Sequence, residues 1–210
     1  MNIIELLKWR YATKKMNGQK VPQEKVDYIL EAARYAPSSA GLQPYEIIVI
    51  SNKELLEKVK PIANNQSQIT DASHLLVFAA WDGLTEARIN KVFDHTTSER
   101  GLPSNAFDDY KTRIHSMFST KTAEEQVQYA ARQSYISLGA ALLAAAEQQV
   151  DATPMEGFNP AALDELLGLK EKGLRSIALL PLGYRDTAKD WLVNQKKVRK
   201  PKEEFIIEMA

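Results

Sequence analysis

The sequence predicts an α+β fold in which helices cover one main sheet. A short apolar, β-branched run lies at 46–50 (EIIVI), and apolar runs lie at 75–81 (LLVFAAW) and 176–182 (SIALLPL), each the length of a buried strand. Segments with helical spacing and helix caps interleave with them. The strands are too widely and irregularly spaced for a regular run of βαβ units. The chain has 210 residues, enough for one domain with a real core.

The elements follow in order. Ile3, Ile4, Leu6 and Leu7 suggest a short first helix ending near Tyr11. Pro22 suits a first helical position, and Val26, Ile29, Leu30 and Ala33 recur at helical spacing until Pro37 stops them. Ser51 and Glu54 read as a capping box ahead of Leu55, Leu56 and Val59, with Pro61 closing that helix. Two helices are expected between 85 and 118, broken near Gly101–Pro103. Thr122 and Glu125 form a second capping box that opens a long helix to Gln149. The second half of that helix, ISLGAALLAAAE, is apolar all round and must be buried on several sides. Self-packing in a dimer explains it naturally; a central helix inside one chain is the alternative. Asn159-Pro160 caps a short helix that Gly168 ends. Phe205–Ile207 cannot make a core alone, and should add an edge strand to a sheet, in cis or on a partner.

Composition removes several function classes. Lys plus Arg and Asp plus Glu both number 27, for a formal net charge of +0, which argues against general attraction to nucleic acid or membrane. Cysteine is absent, which excludes disulfides and thiolate metal sites. No signal peptide or membrane-length apolar run is seen, so a cytoplasmic protein is expected. There is no GxGxxG, P-loop or GxSxG motif. His74, His95 and His115 lack metal-ligand spacing, so no metal is expected, and His74 reads as a hydrogen-bonded structural residue.

What remains is scattered. Arg10 and Lys14 place two cations four apart at a helix end, and Lys197 and Arg199 place two cations two apart, on one side of an extended segment. Pro37-Ser38-Ser39 offers hydroxyls and free backbone donors, and Gly157 in PMEGF permits close backbone approach. Each has a bland reading: a solvated helix end, a basic tail, a plain loop. Their order and spacing together resemble the flavin-dependent nitroreductases. The landmarks are RYATK (10–14), PSSAGLQPY (37–45), NNQSQ (64–68), DASHLLVF (71–78), PMEGF (154–158), LGLKEKG (167–173), LPLGY (180–184) and KVRKP (197–201).

The resemblance implies an α/β/α sandwich with a mixed central sheet. It implies one domain over 1–210, in an intertwined homodimer whose 187–210 extension packs on the partner subunit and exchanges a strand. It implies FMN as cofactor, NADH or NADPH as electron donor, and ping-pong hydride transfer to nitroaromatic or quinone-like acceptors. Arg10, Tyr11, Ala12 and Lys14, with Lys197 and Arg199, match the cofactor's phosphate, ribityl and pyrimidine contacts. Asn65 and Gln68 match side chains on the ring's pyrimidine. Pro154, Met155, Glu156 and Gly157 match the segment along one ring face, and Lys14 and Glu156 stand nearest the chemistry. Pro37, Ser38, Ser39 and Gly41 match a loop that reaches the cofactor from the other subunit. Phe107, Tyr110, His115 and Phe118 are the aromatic candidates for the acceptor pocket. The sequence departs from the common pattern at Ala12, at Gly41-Leu42, and at Gln68 where some relatives carry a lysine; Gln68 should leave the flavin less oxidising. A same-fold enzyme with a narrower acceptor (pterin, enone or quinone) and a non-catalytic flavin-binding dimer are the rival expectations.

Overall fold

The computed structural model describes residues 1–209. Its organising element is a strand buried along almost its whole length, β2 (His74–Trp81). On one side it pairs with β1 (Tyr45–Ile50) and on the other with β4 (Leu174–Gly183), which also takes the short β3 (Asp151–Ala152). The order is β1-β2-β4-β3, and each neighbouring pair is antiparallel. Ile47 stands opposite Phe78, and Phe78 opposite Ala178.

Alternation along β2 separates two cores. Leu76 and Phe78, with Ala178, Leu180 and Leu182 of β4, face α2 (Gln23–Arg34) and α7 (Ala123–Glu147). Leu75, Val77 and Leu179 face α3 (Lys53–Ile62) and α8 (Pro160–Leu167). The result is helix, sheet, helix in three layers. A side cluster of Ile89, Phe93, Ile114 and Phe118 joins α5 (Glu86–Glu99) to α6 (Asp108–Ser119). The first helix, α1, is Ile3–Trp9, and one turn, α4 (Gln68–Asp71), precedes β2.

Local chemistry sets most boundaries as the sequence predicts. The Thr122–Glu125 capping box forms at α7. Asn159 caps α8 through Ala162, Pro160 fills its first turn, and Gly168 ends it at φ 59. Other boundaries differ. Pro22 is the N-cap of α2 rather than its first residue, and α1 ends at Trp9 rather than near Tyr11. The cap of α3 is Asn52, whose Oδ1 accepts the Leu55 N–H at 2.9 Å, so the Ser51–Glu54 box does not form. Pro61 sits inside the last turn and α3 continues one residue to Ile62, although the proline offers no N–H to the Glu57 carbonyl four residues before it.

The expected mixed sheet is corrected within the chain: its four described strands are antiparallel throughout. A parallel neighbour needs a further strand, and the candidate segment does not supply one in cis. Lys202–Phe205 form a single helical turn, α9, and Phe205 and Ile207 stand 75% and 84% exposed. The long helix serves the monomer on one face, burying Ala130, Ser134, Leu138, Ala141 and Ala145. Its other face leaves Tyr135 and Ile136 open, beside half-buried Gly139, Leu142 and Leu143. No described helix is long and apolar enough to cross a membrane.

His74 is buried at the start of β2, with Nδ1 2.9 Å from the Ser73 hydroxyl, which accepts the Val21 N–H at 2.8 Å. Burial, with Lys20 and Lys53 nearby, lowers its pKa below the usual 6.5. The unfolded chain therefore takes up a proton before the folded one as pH falls. Stability is expected to hold above pH of about 6.5 and to decline as pH drops from there toward the folded pKa. Urea titrations across this range should show that decline in the wild type and a flatter profile in His74→Gln; equal slopes would exclude the histidine as the cause.

Candidate active site

The chain leaves α1 through Arg10, whose backbone is extended at φ −72 and ψ 141, and runs to Lys14 as a strap across the ends of β3 and β4. Three buried side chains fasten it. The Thr13 carbonyl accepts from Gln68 Nε2 at 3.2 Å and from Thr153 Oγ1 at 3.0 Å. Asp190 accepts from the Tyr11 hydroxyl at 2.8 Å and from the Lys14 N–H at 3.2 Å. Burial and that bond to Asp190 push the Tyr11 pKa up to about 12, so the phenol stays a donor at any physiological pH.

Between this strap and residues 192–199 lies a cavity of about 410 Å³. Arg10, Arg185, Lys197 and Arg199 all line it. Burial, then Arg199, lowers the pKa of Arg10, with Asp151 acting in the opposite sense. Burial, then Arg10, Arg199 and Arg185, lowers that of Lys197. These cations crowd one another. Lys197 donates to the carbonyls of Leu7 and Arg10 at the end of α1, where a cation also meets the negative end of the helix dipole. Arg10 Nε is buried with no hydrogen-bond partner. A phosphate group fits this donor set: it supplies the missing acceptor and relieves the repulsion.

Pro154 lines this cleft and also a second cavity, of about 450 Å³, walled by Leu138, Gly139, Leu142, Met155 and Ala178. Pro154 is the one residue common to a cationic cavity and a mostly apolar one, which Tyr135 and Glu156 also line. The 154–157 segment is held from two sides. The amides of Asn64 and Gln66 both donate to the Gly157 carbonyl at 3.0 Å, and the Tyr135 hydroxyl donates to Glu156 Oε1 at 2.5 Å. A Cβ on Gly157 would stand 3.4 Å from Asn64 Nδ2, so the close approach at this glycine is to those amides.

The sequence-predicted residues divide into groups. Arg10, Tyr11, Ala12, Pro154, Lys197 and Arg199 share the first cavity, and Pro154, Met155 and Glu156 share the second. Gln68 is buried behind the strap, Lys14 is exposed at its end, and Asn65 is exposed with a left-handed backbone at φ 55; these three line neither cavity. Pro37, Ser38, Ser39 and Gly41 line neither cavity. That loop lies on α7 instead, where the Ser39 N–H donates to Gln133 Oε1 at 2.8 Å, and the Ser38 hydroxyl accepts the Gln43 N–H at 2.9 Å. Phe107, Tyr110 and His115 are half-buried on the α5–α6 pair. His115 Nε2 stands 3.2 Å from Asn90 Oδ1, and Phe93 lies 5.5 Å from the rings of both Phe107 and Tyr110. Phe118, 1% exposed, faces the core of that pair.

The sequence reading passed over Arg185, Asp151, Asp190, Asn64, Gln66 and Tyr135. One signal was available: Asp151 sits in the run Val150-Asp-Ala-Thr-Pro entering the core, and a buried carboxylate demands a cationic partner.

Arg10 should be costly to the ligand-free protein. Arg10→Gln removes a buried unpaired donor and a crowded charge, and is expected to raise ligand-free stability by on the order of 1 kcal/mol. A melting temperature lower than wild type in phosphate-free buffer would contradict this.

Comparison with known proteins gives a consistent family. Residues 7–184 match the Nitroreductase family. The chain is 31% identical, over the whole of both chains, to the oxygen-insensitive NAD(P)H nitroreductase of Salmonella typhimurium. It superposes with a TM-score of 0.84 on a nitroreductase family protein from Streptococcus pneumoniae, at 23% identity and with 99% and 100% of the two chains covered. A protein from Exiguobacterium sibiricum solved in complex with FMN superposes at 0.83, with 22% identity and coverage of 100% and 98%. The chain belongs to the nitroreductase family.

Proposed function

We propose that this chain is an FMN-dependent NAD(P)H oxidoreductase working on nitroaromatic or quinone-like acceptors. The observation that carries the reading is the cationic cleft, with its unpartnered Arg10 Nε, which shares Pro154 with a second, mostly apolar cavity. That pairing suits a molecule with a phosphate at one end and a flat ring at the other. FMN held there by Arg10, Lys197 and Arg199 would supply the redox chemistry, hydride transfer from NAD(P)H and, in ping-pong order, reduction of the acceptor.

The chain's residues bind and tune. Arg10, Lys197 and Arg199 hold the phosphate, beside Tyr11 and Ala12. Lys14 supplies positive charge at the pyrimidine edge, where Asn65 and Gln68 offer amides. Pro154, Met155, Glu156 and Gly157 form a rigid wall for the ring, because Tyr135, Asn64 and Gln66 fix them. Phe107, Tyr110 and His115 provide the acceptor's aromatic surface, and Phe118 backs it from the core.

A second copy of the chain completes the site. The open stripe of α7, the exposed Ile3, Ile4 and Leu7 of α1, and the free edge of β1 leave apolar surface that a homodimer covers. Residues 187–210 form the arm that reaches the partner, and Phe205–Ile207 add a strand to the partner's sheet. The loop Pro37–Gly41, remote from its own chain's cleft, serves the partner's cofactor.

Anaerobic mixing of FMN-loaded protein with NADH or NADPH should bleach the flavin, and a nitroaromatic or quinone should restore it. Protein that takes up FMN but is not reduced would favour a non-catalytic flavin-binding dimer, and restoration by an enone or pterin alone a narrower enzyme. Replacing Lys197 and Arg199 together by Gln is expected to weaken FMN binding at least about tenfold, since each charged hydrogen bond contributes about 1.5–3 kcal/mol. Gln68→Lys should raise the flavin midpoint potential by roughly 20–90 mV, the two-electron equivalent of about 1–4 kcal/mol; an unchanged potential would remove Gln68 from the ring's surroundings.

A further inference from the structure

We propose that Arg185 is a positioning residue of the phosphate cleft, setting where Arg10 stands through the rings of Trp9 and Tyr11. This rests on the reading of the cleft as a phosphate site.

Arg185 is itself immobilised. Asp151, 4% exposed, accepts from its Nε at 2.9 and 3.0 Å, from its Nη2 at 2.5 Å and from its backbone N–H at 2.7 Å. A buried carboxylate surrounded in this way needs the planar fork of an arginine; a lysine offers one point charge. The guanidinium carbon then lies 4.4 Å from the Trp9 ring centroid and 4.5 Å from that of Tyr11.

Those two residues flank Arg10 in sequence. Arg10 is the single residue between two held rings, its backbone extended at φ −72 and ψ 141, and Trp9, Arg10, Tyr11 and Arg185 all line the same cavity. Gripping Trp9 and Tyr11 therefore fixes the direction of the residue between them. Arg10 has no comparable hold of its own: its Nε lacks a partner, and its neighbours across the cleft are cations. A crowded, partly unpaired guanidinium held in place needs an external brace, and Arg185 with Asp151 is a nearly neutral one. Its contribution to ligand binding is geometric rather than a further positive charge.

The test uses the full-length protein and the dissociation constants of FMN and riboflavin, read by flavin fluorescence. Riboflavin keeps the ring and ribityl chain and lacks the phosphate. Arg185→Gln combined with Asp151→Asn removes both charges together and leaves no unpaired carboxylate. It is expected to weaken FMN at least about fivefold and riboflavin less than about twofold. Placed on Arg10→Gln, the same pair should cost less than about a further twofold, because the residue it positions is gone. Trp9→Leu, which spares the ion pair, should give the same FMN-selective loss, and Arg185→Lys should not restore tight binding. Equal losses for both ligands, full additivity with Arg10→Gln, or unchanged FMN affinity would overturn the proposal. If Arg10→Gln itself leaves FMN affinity unchanged, the phosphate reading of the cleft fails instead.

Discussion

Strand β2 carries apolar side chains on both faces, and such a strand is stable only with a layer of helices on each side. Leu76 and Phe78 call for α2 and α7; Leu75 and Val77 call for α3 and α8. Covering both faces leaves the ends of β3 and β4 as the place where polar backbone can gather without being buried. The strap from Arg10 to Lys14, the 154–157 segment and Arg185 all meet there. The site is thus a consequence of how the core is closed, and its residues come from distant parts of the chain because the layers do.

The charge distribution sharpens this. The chain is formally neutral, yet Arg10, Arg185, Lys197 and Arg199 converge on one cavity with Asp151 as the acid bonded to one of them. Like charges gathered in a partly desolvated cleft oppose folding. They are tolerated because the helix end takes up Lys197 and Asp151 takes up Arg185. Local imbalance within a balanced whole marks the cleft more clearly than any single residue does.

Much of this was legible in the sequence where local chemistry decides the outcome. The caps at Thr122 and Asn159, the β-branched run at 46–50 and the apolar run at 75–81 depend on neighbours a few residues away. Ser51 and Asn52 are equally good caps on paper, and the structure uses Asn52. β3 is two residues long and has no periodicity to detect. Arg10, Lys197 and Arg199 were readable through family resemblance, whereas Arg185 was not, since its role depends on Asp151 and on two aromatic rings far away in sequence. The buried face of α7 and its open stripe were both implied by one all-apolar pattern; composition alone cannot divide them, because both faces are small and apolar.

The Lys197 ammonium resting on the end of α1 joins the tenth residue of the chain to its last few turns. That contact spans 190 positions of sequence, whereas the two core clusters draw on residues between Val21 and Leu182. Closing so long a loop is entropically costly until the layers between its ends are packed. The core can therefore assemble first, and the cationic cleft closes only onto a core already formed.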